Sequence, residues 1–307
     1  MITDLIVDGM ENQPLVSVGI PTYNRPEGLR RTLECITKQT YANLEIIVSD
    51  NCSPGDEVER VVREFQEKDG RILFFKQKEN YGPMNNFKFV LEKATGEYFM
   101  WAADDDIWKP FFINDLVDVL RKNPQHVAAM MECQYFDDNQ LFDFFNEGST
   151  FYSFLSDNSY SRLKFMLKSN YGNLFYSVFR RNALFSGNDS FFIKNSLQSL
   201  NEIPLFLFVI EKGNWLVIDK VGMYKKTNIQ TYIQARWEIE GGRLPTIPLS
   251  QYLFSLNYSS IYHWYTFVDI IKSIRLLPIR LVEKMRLMFL ANYLIFRHFY
   301  YIISRRR

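Results

Sequence analysis

The stretch WAADDDIW, residues 101–108, decides the fold of this chain. The apolar run YFM at residues 98–100 comes directly before it and predicts a buried strand that leads into the acidic triplet. Asp104, Asp105 and Asp106 repel one another, so their clustering calls for a counter-ion. Carboxylate oxygens at this density suit Mg²⁺ or Mn²⁺ shared with substrate phosphates. The alternative is a solvated turn that caps a helix starting near Pro110.

Strand and helix patterns alternate around this stretch. Apolar runs predict strands at residues 16–20, 45–48, 72–75 and 98–102. Helical periodicity predicts helices at residues 29–36, 58–65, 85–94 and 111–122. Such alternation predicts an α/β fold with a mainly parallel sheet covered on both faces. Ligands of such sheets bind beyond the carboxyl ends of the strands, where the polar turns should meet.

The composition bounds the class of protein. Of 307 residues, 47% are hydrophobic and 23% charged, so a packed core is expected. The three cysteines form no C-x-x-C pair, so neither a disulfide framework nor a zinc knuckle is implied. The acidic residues 1–13 do not read as a signal peptide. No G-x-G-x-x-G follows the first strand and no P-loop motif occurs, which disfavours both kinds of nucleotide site.

Four segments in a fixed order carry a family resemblance. They are VSVGIPTYNR at residues 16–25, EIIVSDNCS at 45–53, ENYGPMNNF at 79–87 and ATGEYFMWAADDD at 94–106. Together they resemble the family 2 glycosyltransferases of the GT-A fold, of the type that builds bacterial surface polysaccharides. The resemblance implies a Rossmann-like domain over residues 14–225. Residues 1–13 would be an extension, and residues 226–307 an α-helical C-terminal region.

The resemblance also implies a nucleotide-sugar donor and assigns residues to it. Asp104 and Asp106 would hold Mn²⁺ or Mg²⁺, and Asp104 would also lie near the ribose. Many relatives carry two adjacent carboxylates where this chain has Asp50 and Asn51. The full set expected at the donor is Pro21, Thr22, Tyr23, Asn24, Asp50, Asn51, Asn80, Gly82, Asp104 and Asp105.

A general base is expected in the second half, because an inverting transfer must deprotonate the acceptor hydroxyl from the face opposite the leaving group. The family places this base at the start of a helix, and Glu202 in LNEIP, residues 200–204, is the candidate. The alternative is a carboxylate that only stabilises the helix N-terminus. The acceptor would be a saccharide, often lipid-linked. The rival functions are a sugar nucleotidyltransferase and a non-catalytic glycan-binding or scaffold protein.

Two pairs of basic residues are weaker candidates. Arg180 and Arg181 could bind phosphate or merely end a strand. Lys225 and Lys226 are expected after the last core strand, with Arg236, in a loop that closes over the pyrophosphate.

The C-terminal region is basic and aromatic. Residues 271–307 carry nine Lys and Arg against one Glu, although the whole chain has a net charge of only +1. A helical wheel over residues 280–304 separates an apolar side from a cationic one, which suits a helix lying on an anionic membrane. We therefore expect a cytoplasmic protein on the inner face of the membrane, with no nucleic-acid partner and with oligomerisation left open. The alternative is a helix packed on its own domain or on a second subunit.

Overall fold

The computed structural model describes residues 13–137, 140–142, 153–168, 174–192, 202–226 and 260–305. The first half alternates strands and helices: β1 (Val16–Thr22), α1 (Pro26–Thr37), β2 (Leu44–Asp50), α2 (Glu57–Gln66), β3 (Ile72–Lys76), α3 (Pro83–Lys93), β4 (Tyr98–Trp101), β5 (Ile107–Trp108) and α4 (Phe112–Lys122). The later elements are β6 (His126–Asp137), β7 (Gln140–Phe142), α5 (Ser159–Lys168), β8 (Val178–Arg180), β9 (Phe185–Ser186), β10 (Asp189–Ser190), α6 (Ile203–Lys212), β11 (Asn214–Lys226), α7 (Ser260–Leu276) and α8 (Leu281–Arg305).

One large sheet organises these elements. Its strands follow the order β3-β2-β1-β4-β8-β6-β11-β5, and β7 pairs with β6. The strands β3, β2, β1 and β4 run parallel to one another, and β6 is parallel to β11. In contrast, β8 is antiparallel to both β4 and β6. The expected mainly parallel sheet is thus confirmed, with antiparallel strands inserted beyond β4.

The first strand runs further than its sequence pattern indicates. β1 continues through Pro21, which pairs with Ser49, to Thr22, which pairs with Asp50. The prediction that Pro21 ends the strand is therefore wrong. Alternate residues of β1 bond to β4, as in the bond from Ala102 N–H to the carbonyl of Gly19. Pro21 faces the same side, but β4 has already ended at Trp101, so its missing N–H breaks no ladder bond.

The central strands form the core, because their side chains are buried on both faces. Every residue of β1 and β4 is buried. Helix α3 packs on β1 and β2, and α4 packs on β6. Continuous apolar strands between two helical layers are typical of this architecture.

The second half departs from the sequence prediction in its boundaries. The strands β6 and β11 pair in parallel, with irregularities near Trp215 and on either side of Val221. Lys225 and Lys226 lie inside β11, opposite Tyr135 and Phe136, so the prediction that they belong to a loop is wrong. Arg236 lies outside the described residues.

Two helices near the C-terminus pack on this domain. Helix α7 contacts α6, and α8 contacts α7 and α5. Among the described helices, none combines the length and hydrophobicity needed to cross a bilayer. Residues 1–12 and 227–259 are outside the described part, so the boundaries at 13 and 225 stay predictions.

Candidate functional site

The acidic triplet lies in the turn between β4 and β5, at the carboxyl end of the parallel strands. Thr22, the last residue of β1, donates its hydroxyl to Asp104 Oδ2 at 2.8 Å. Arg25 donates Nη1 to Asp104 Oδ1 at 3.2 Å and to Asp105 Oδ2 at 2.7 Å. The structure therefore brings the first polar turn and the triplet together, as the sheet topology predicts.

Helix α1 fixes the position of the triplet. A Cβ built on Gly28 would lie 2.3 Å from the carbonyl oxygen of Asp104, so no larger residue fits there without displacing the turn. On the next helical turn, the Thr32 hydroxyl donates to the carbonyl of Ala103 at 2.9 Å. The approach of α1 thus holds the backbone of the turn against the end of the sheet.

Asp106 is the least compensated carboxylate of the triplet. Its side chain is buried, and Oδ1 accepts the backbone N–H of Lys226 at 3.0 Å, whereas the buried Oδ2 has no hydrogen-bond donor among the residues that the structure describes. Burial raises the pKa of Asp106 to about 7, and the charge of Lys225 opposes that rise. Burial also raises the pKa of Asp104, opposed by the Thr22 hydrogen bond and by Arg25. An unpaired oxygen in such a place needs an explanation, and a bound cation provides one.

Glu202 lies directly before α6 and is partly buried. Burial raises the pKa of Glu202 to about 7, and the charge of Lys225 again works in the opposite direction. The ammonium of Lys225 thus acts on both Asp106 and Glu202, and its Nζ lies 5.0 Å from the centre of the Tyr176 ring. The fold therefore brings the candidate base into the electrostatic neighbourhood of the acidic triplet.

The polar turns after β1 and β2 are joined through Ser53. Asp50 is buried and accepts the N–H of Ser53 at 3.0 Å, and also its hydroxyl. The Ser53 oxygen in turn accepts the N–H of Asn24 at 2.7 Å. Asn24 has a φ of 54°, the left-handed region that Asn tolerates better than most residues. In this structure Asp50 therefore orders the turn in which Asn24 lies.

Asn51 and Asn80 connect the second turn to the start of α3. Asn51 donates Nδ2 to Asn80 Oδ1 at 2.8 Å, and its own Oδ1 accepts the N–H of Tyr81 at 3.0 Å. Asn80 Oδ1 also accepts the N–H of Gly82, whose φ of 81° favours glycine. Tyr23 and Tyr81 are both nearly half exposed, so each offers an aromatic face to solvent at this edge.

Asn86 links β1 and β2, the two strands that carry the polar turns, although the sequence pattern assigns it no role. This buried residue of α3 donates Nδ2 to the carbonyls of Ser49 at 3.0 Å and Thr22 at 3.3 Å, and its Oδ1 accepts the Ser49 hydroxyl at 2.6 Å. The one signal in the sequence is an amide on the otherwise apolar buried face of a helix. Arg25 ends the segment at residues 16–25, and the sequence pattern likewise assigns it no role of its own.

Arg180 has a structural role. Its guanidinium donates to the carbonyls of His126 at 2.9 Å and Leu120 at 2.5 Å, and to the Tyr98 hydroxyl at 3.2 Å. These contacts join β8 to β4 and to the end of α4. They engage the guanidinium that would otherwise bind a phosphate.

The donor set for a cation is small. Among the described residues, no three His, Cys, Asp or Glu side chains converge into a complete metal site. Mg²⁺ in phosphate-handling enzymes is commonly held by one or two carboxylates and by the substrate phosphates. The unpaired Asp106 Oδ2 is an available ligand of that kind, so the residues present fit a cation that binds with a diphosphate.

Comparison with known sequences identifies the family. The family profile described as glycosyl transferase family 2 matches residues 17–184. The chain belongs to glycosyl transferase family 2. This family 2 chain is 39% identical over 121 residues to an uncharacterised glycosyltransferase of Haemophilus influenzae, a match covering 39% of this chain and 37% of that protein.

A relative with an assigned activity is the GalNAc(5)-diNAcBac-PP-undecaprenol β-1,3-glucosyltransferase of Campylobacter jejuni. It is 31% identical over 172 residues, which covers 56% of this family 2 chain and 53% of the relative. The matches therefore span only about half or less of these curated relatives.

The fold has a solved counterpart. The crystal structure of residues 1–349 of S. aureus TarS in complex with UDP-GlcNAc superposes with a TM-score of 0.59 at 14% identity, covering 90% of this chain and 70% of that one. This likeness confirms the expected GT-A fold.

Proposed function

We propose that this chain transfers a sugar from a nucleotide-sugar donor to a saccharide acceptor, with inversion at the sugar C1. The observation that carries the proposal is that Lys225 acts on both Asp106 and Glu202, whose pKa values burial raises to about 7, at the sheet edge where Thr22 contacts Asp104. Groups with strongly shifted pKa values cluster at catalytic sites. Family 2 membership argues against the rival sugar nucleotidyltransferase.

In the proposed reaction, the Glu202 carboxylate accepts the proton of the acceptor hydroxyl as that oxygen bonds to the sugar C1. The bond between C1 and the donor phosphate oxygen breaks at the same time, and its electron pair leaves with the nucleoside diphosphate. A pKa of about 7 gives Glu202 a basicity matched to a neutral operating pH.

Asp104 and Asp106 would hold Mn²⁺ or Mg²⁺ against the donor diphosphate. When bound, the cation stabilises the negative charge that develops on the leaving group. Thr22 keeps Asp104 oriented toward this position through a hydrogen bond of 2.8 Å. Asp50, Asn51 and Asn80 shape the turns beside it, where the base and ribose of the donor would lie.

The transfer assay tests this proposal directly. Glu202→Gln should retain nucleoside diphosphate binding with Mn²⁺ but lose transfer by a factor of at least about 10², the usual contribution of a general base. Asp189→Asn, at an exposed position in the small β9–β10 hairpin, is the matched control and should transfer at the wild-type rate. Wild-type transfer by Glu202→Gln would eliminate Glu202 as the base.

The donor and metal roles need separate measurements. A thermal-shift screen of nucleoside diphosphates should find a ligand that raises the melting temperature only with Mn²⁺ or Mg²⁺, because such a ligand binds the native state alone. Full turnover in EDTA would refute the metal role. Unchanged biological activity of an Asp104→Ala and Asp106→Ala double variant would favour the non-catalytic alternative.

We infer that the acceptor is lipid-linked and that the enzyme works at the inner membrane face, with residues 14–225 as the catalytic domain. The name of the Campylobacter relative, which specifies an undecaprenyl diphosphate-linked saccharide, supports this inference. The structure of α8 supports it independently. Five large apolar side chains of α8 are more than half exposed, namely Leu281, Val282, Met285, Phe289 and Tyr293.

These five side chains form a stripe along α8. At roughly 100° per residue they fall within an arc of roughly 120°. Leu287 and Ala291 are buried on the other side, where α8 packs on the rest of the domain. Arg275 and Arg286 are exposed near the stripe, and such a combination suits an anionic bilayer surface.

Flotation with vesicles of phosphatidylcholine and phosphatidylglycerol tests this surface. Met285→Asp with Phe289→Asp should abolish flotation. The matched control is Leu155→Asp, a residue 53% exposed outside α8, which should float like the wild type. If the double variant floats normally, the stripe does not bind the membrane. If it loses a dimer seen by light scattering instead, the stripe binds a second copy of the chain.

A further inference from the structure

Arg25 occupies the acidic triplet. It is the residue before α1, and its Nη1 lies within hydrogen-bonding distance of both Asp104 and Asp105. The charge of Asp104 raises the pKa of Arg25, so this guanidinium is a permanent cation at the site. A single positive charge of the protein itself thereby contacts two of the three adjacent carboxylates.

The contacts of Asp104 leave little room for a second positive partner. Its Oδ1 accepts Arg25 and its Oδ2 accepts Thr22, so both oxygens are already engaged. A divalent cation bound to Asp104 would have to lie close to the guanidinium, and like charges at such a distance repel strongly. Arg25 and the cation therefore compete for Asp104.

Arg25 can leave without disturbing the core. Its side chain is 58% exposed, whereas that of Asp104 is only 10% exposed. The carboxylate is thus fixed by the fold, and the arginine can swing toward solvent. The contact of Arg25 with Asp105 is solvent-exposed, and exposed ion pairs are individually weak, so a ligand that binds the carboxylates more tightly can draw the arginine away.

We propose that Arg25 is the resident counter-ion of the triplet and that a divalent cation binds by displacing it from Asp104 and Asp105. In the donor-free protein Arg25 then suppresses metal binding, so the cation loads mainly together with the donor diphosphate. This proposal rests on the proposed function, because it concerns the same carboxylates, but it makes a separate claim about Arg25.

The test uses Mn²⁺ alone, with the full chain and no nucleotide. Binding is measured by the electron paramagnetic resonance signal of free Mn²⁺. Arg25→Met should bind Mn²⁺ roughly tenfold more tightly than the wild type, equivalent to about 1.4 kcal/mol. Arg25→Lys, which retains the charge, should stay close to the wild type.

Two control variants establish whether a gain in Mn²⁺ affinity arises at the acidic triplet. Arg30→Met removes an arginine within α1 that is paired with Glu64 on α2. This variant should leave Mn²⁺ affinity unchanged. Adding Asp104→Asn to Arg25→Met should abolish the gain, because the extra binding must occur at the triplet. The melting temperature of each variant confirms that it is folded.

Equal or weaker Mn²⁺ binding by folded Arg25→Met would overturn the proposal, as would a gain that survives Asp104→Asn. These outcomes differ from failure of the proposed function. In that case the wild type itself would bind no Mn²⁺ even with a saturating nucleoside diphosphate present.

Discussion

Replacing Asp106 by Asn should make the metal-free protein more stable at pH 8, although it removes a proposed metal ligand. Asp106 is 1% exposed, and within the described part of the chain its Oδ2 has no hydrogen-bond donor. At pH 8 its carboxyl is ionised in both the folded and the unfolded chain, so the folded state bears the full cost of a buried charge. Asn has nearly the same shape, and its oxygen can still accept the N–H of Lys226.

The size of the effect follows from the pKa. Burial raises the pKa of Asp106 from 3.8 to about 7. At about 1.4 kcal/mol per unit, this corresponds to an upper bound of roughly 4 kcal/mol. This pKa already includes the attraction to Lys225, so the remaining cost of the variant is a buried amide N–H, which offsets roughly 1–3 kcal/mol. A net gain of about 1–2 kcal/mol should raise the melting temperature by about 2–8 °C.

The dependence on pH separates this explanation from a packing effect. Because the folded-state pKa of Asp106 is raised above the unfolded value, the folded state holds the proton more tightly. The stability contributed by that proton is complete below the unfolded pKa of about 4 and is lost as pH rises through about 7. The gain from Asp106→Asn should therefore be large at pH 8 and should shrink or reverse at pH 5.

Thermal denaturation in EDTA at the two pH values measures this gain. Asp115→Asn is the control, because Asp115 forms an exposed ion pair with Lys220 at 2.8 Å and should give no stabilisation at either pH. An Asp106→Asn variant that melts below the wild type at pH 8 would refute the reasoning. An equal gain at pH 5 and pH 8 would refute the electrostatic cause.

Three further predictions test other parts of the site. Transfer should increase as pH rises through about 7 and then level off, because Glu202 must lose its proton to act as a base; stopped-time transfer assays from pH 5.5 to 8.5 measure this. Asn86→Ala should lower the free energy of unfolding in urea by roughly 2–4 kcal/mol, because it leaves the buried Ser49 hydroxyl without its acceptor and removes the amide bonds to the carbonyls of Ser49 and Thr22. Gly28→Ala should weaken nucleoside diphosphate binding with Mn²⁺ by calorimetry, because its Cβ would push on Asp104.

The first half of the fold could be predicted because its signals are local. Each of the first four strands is a short apolar run bounded by polar turn residues, and each intervening helix has an apolar face. Once β1, β2 and β4 are parallel and adjacent, Thr22, Asp50 and the acidic triplet must lie at one edge. The prediction of this edge therefore needed only local patterns and one rule of topology.

The second half could not be predicted in the same way, because its strands depend on distant partners. β6 and β11 are extended by pairing with each other over most of their length, with irregularities that leave no regular alternation in the sequence. For this reason Lys225 was expected in a loop, although it lies in β11 beside Asp106 and Glu202. Tyr176 lies in a 3₁₀ turn over Leu174–Tyr176. Such placements are decided by tertiary contacts.

The hydrogen bonds divide the site into a part that is fixed in advance and a part that is left for ligands. Around Asp50, Asn51 and Asn86, the polar groups bond chiefly to one another and to the backbone, which fixes the turns before any ligand arrives. Around Asp106 and Glu202, two carboxyl groups share the influence of Lys225 and have raised pKa values. A fold selected for stability alone would replace these two acids, which supports the proposal that their charge is used when the donor and acceptor bind.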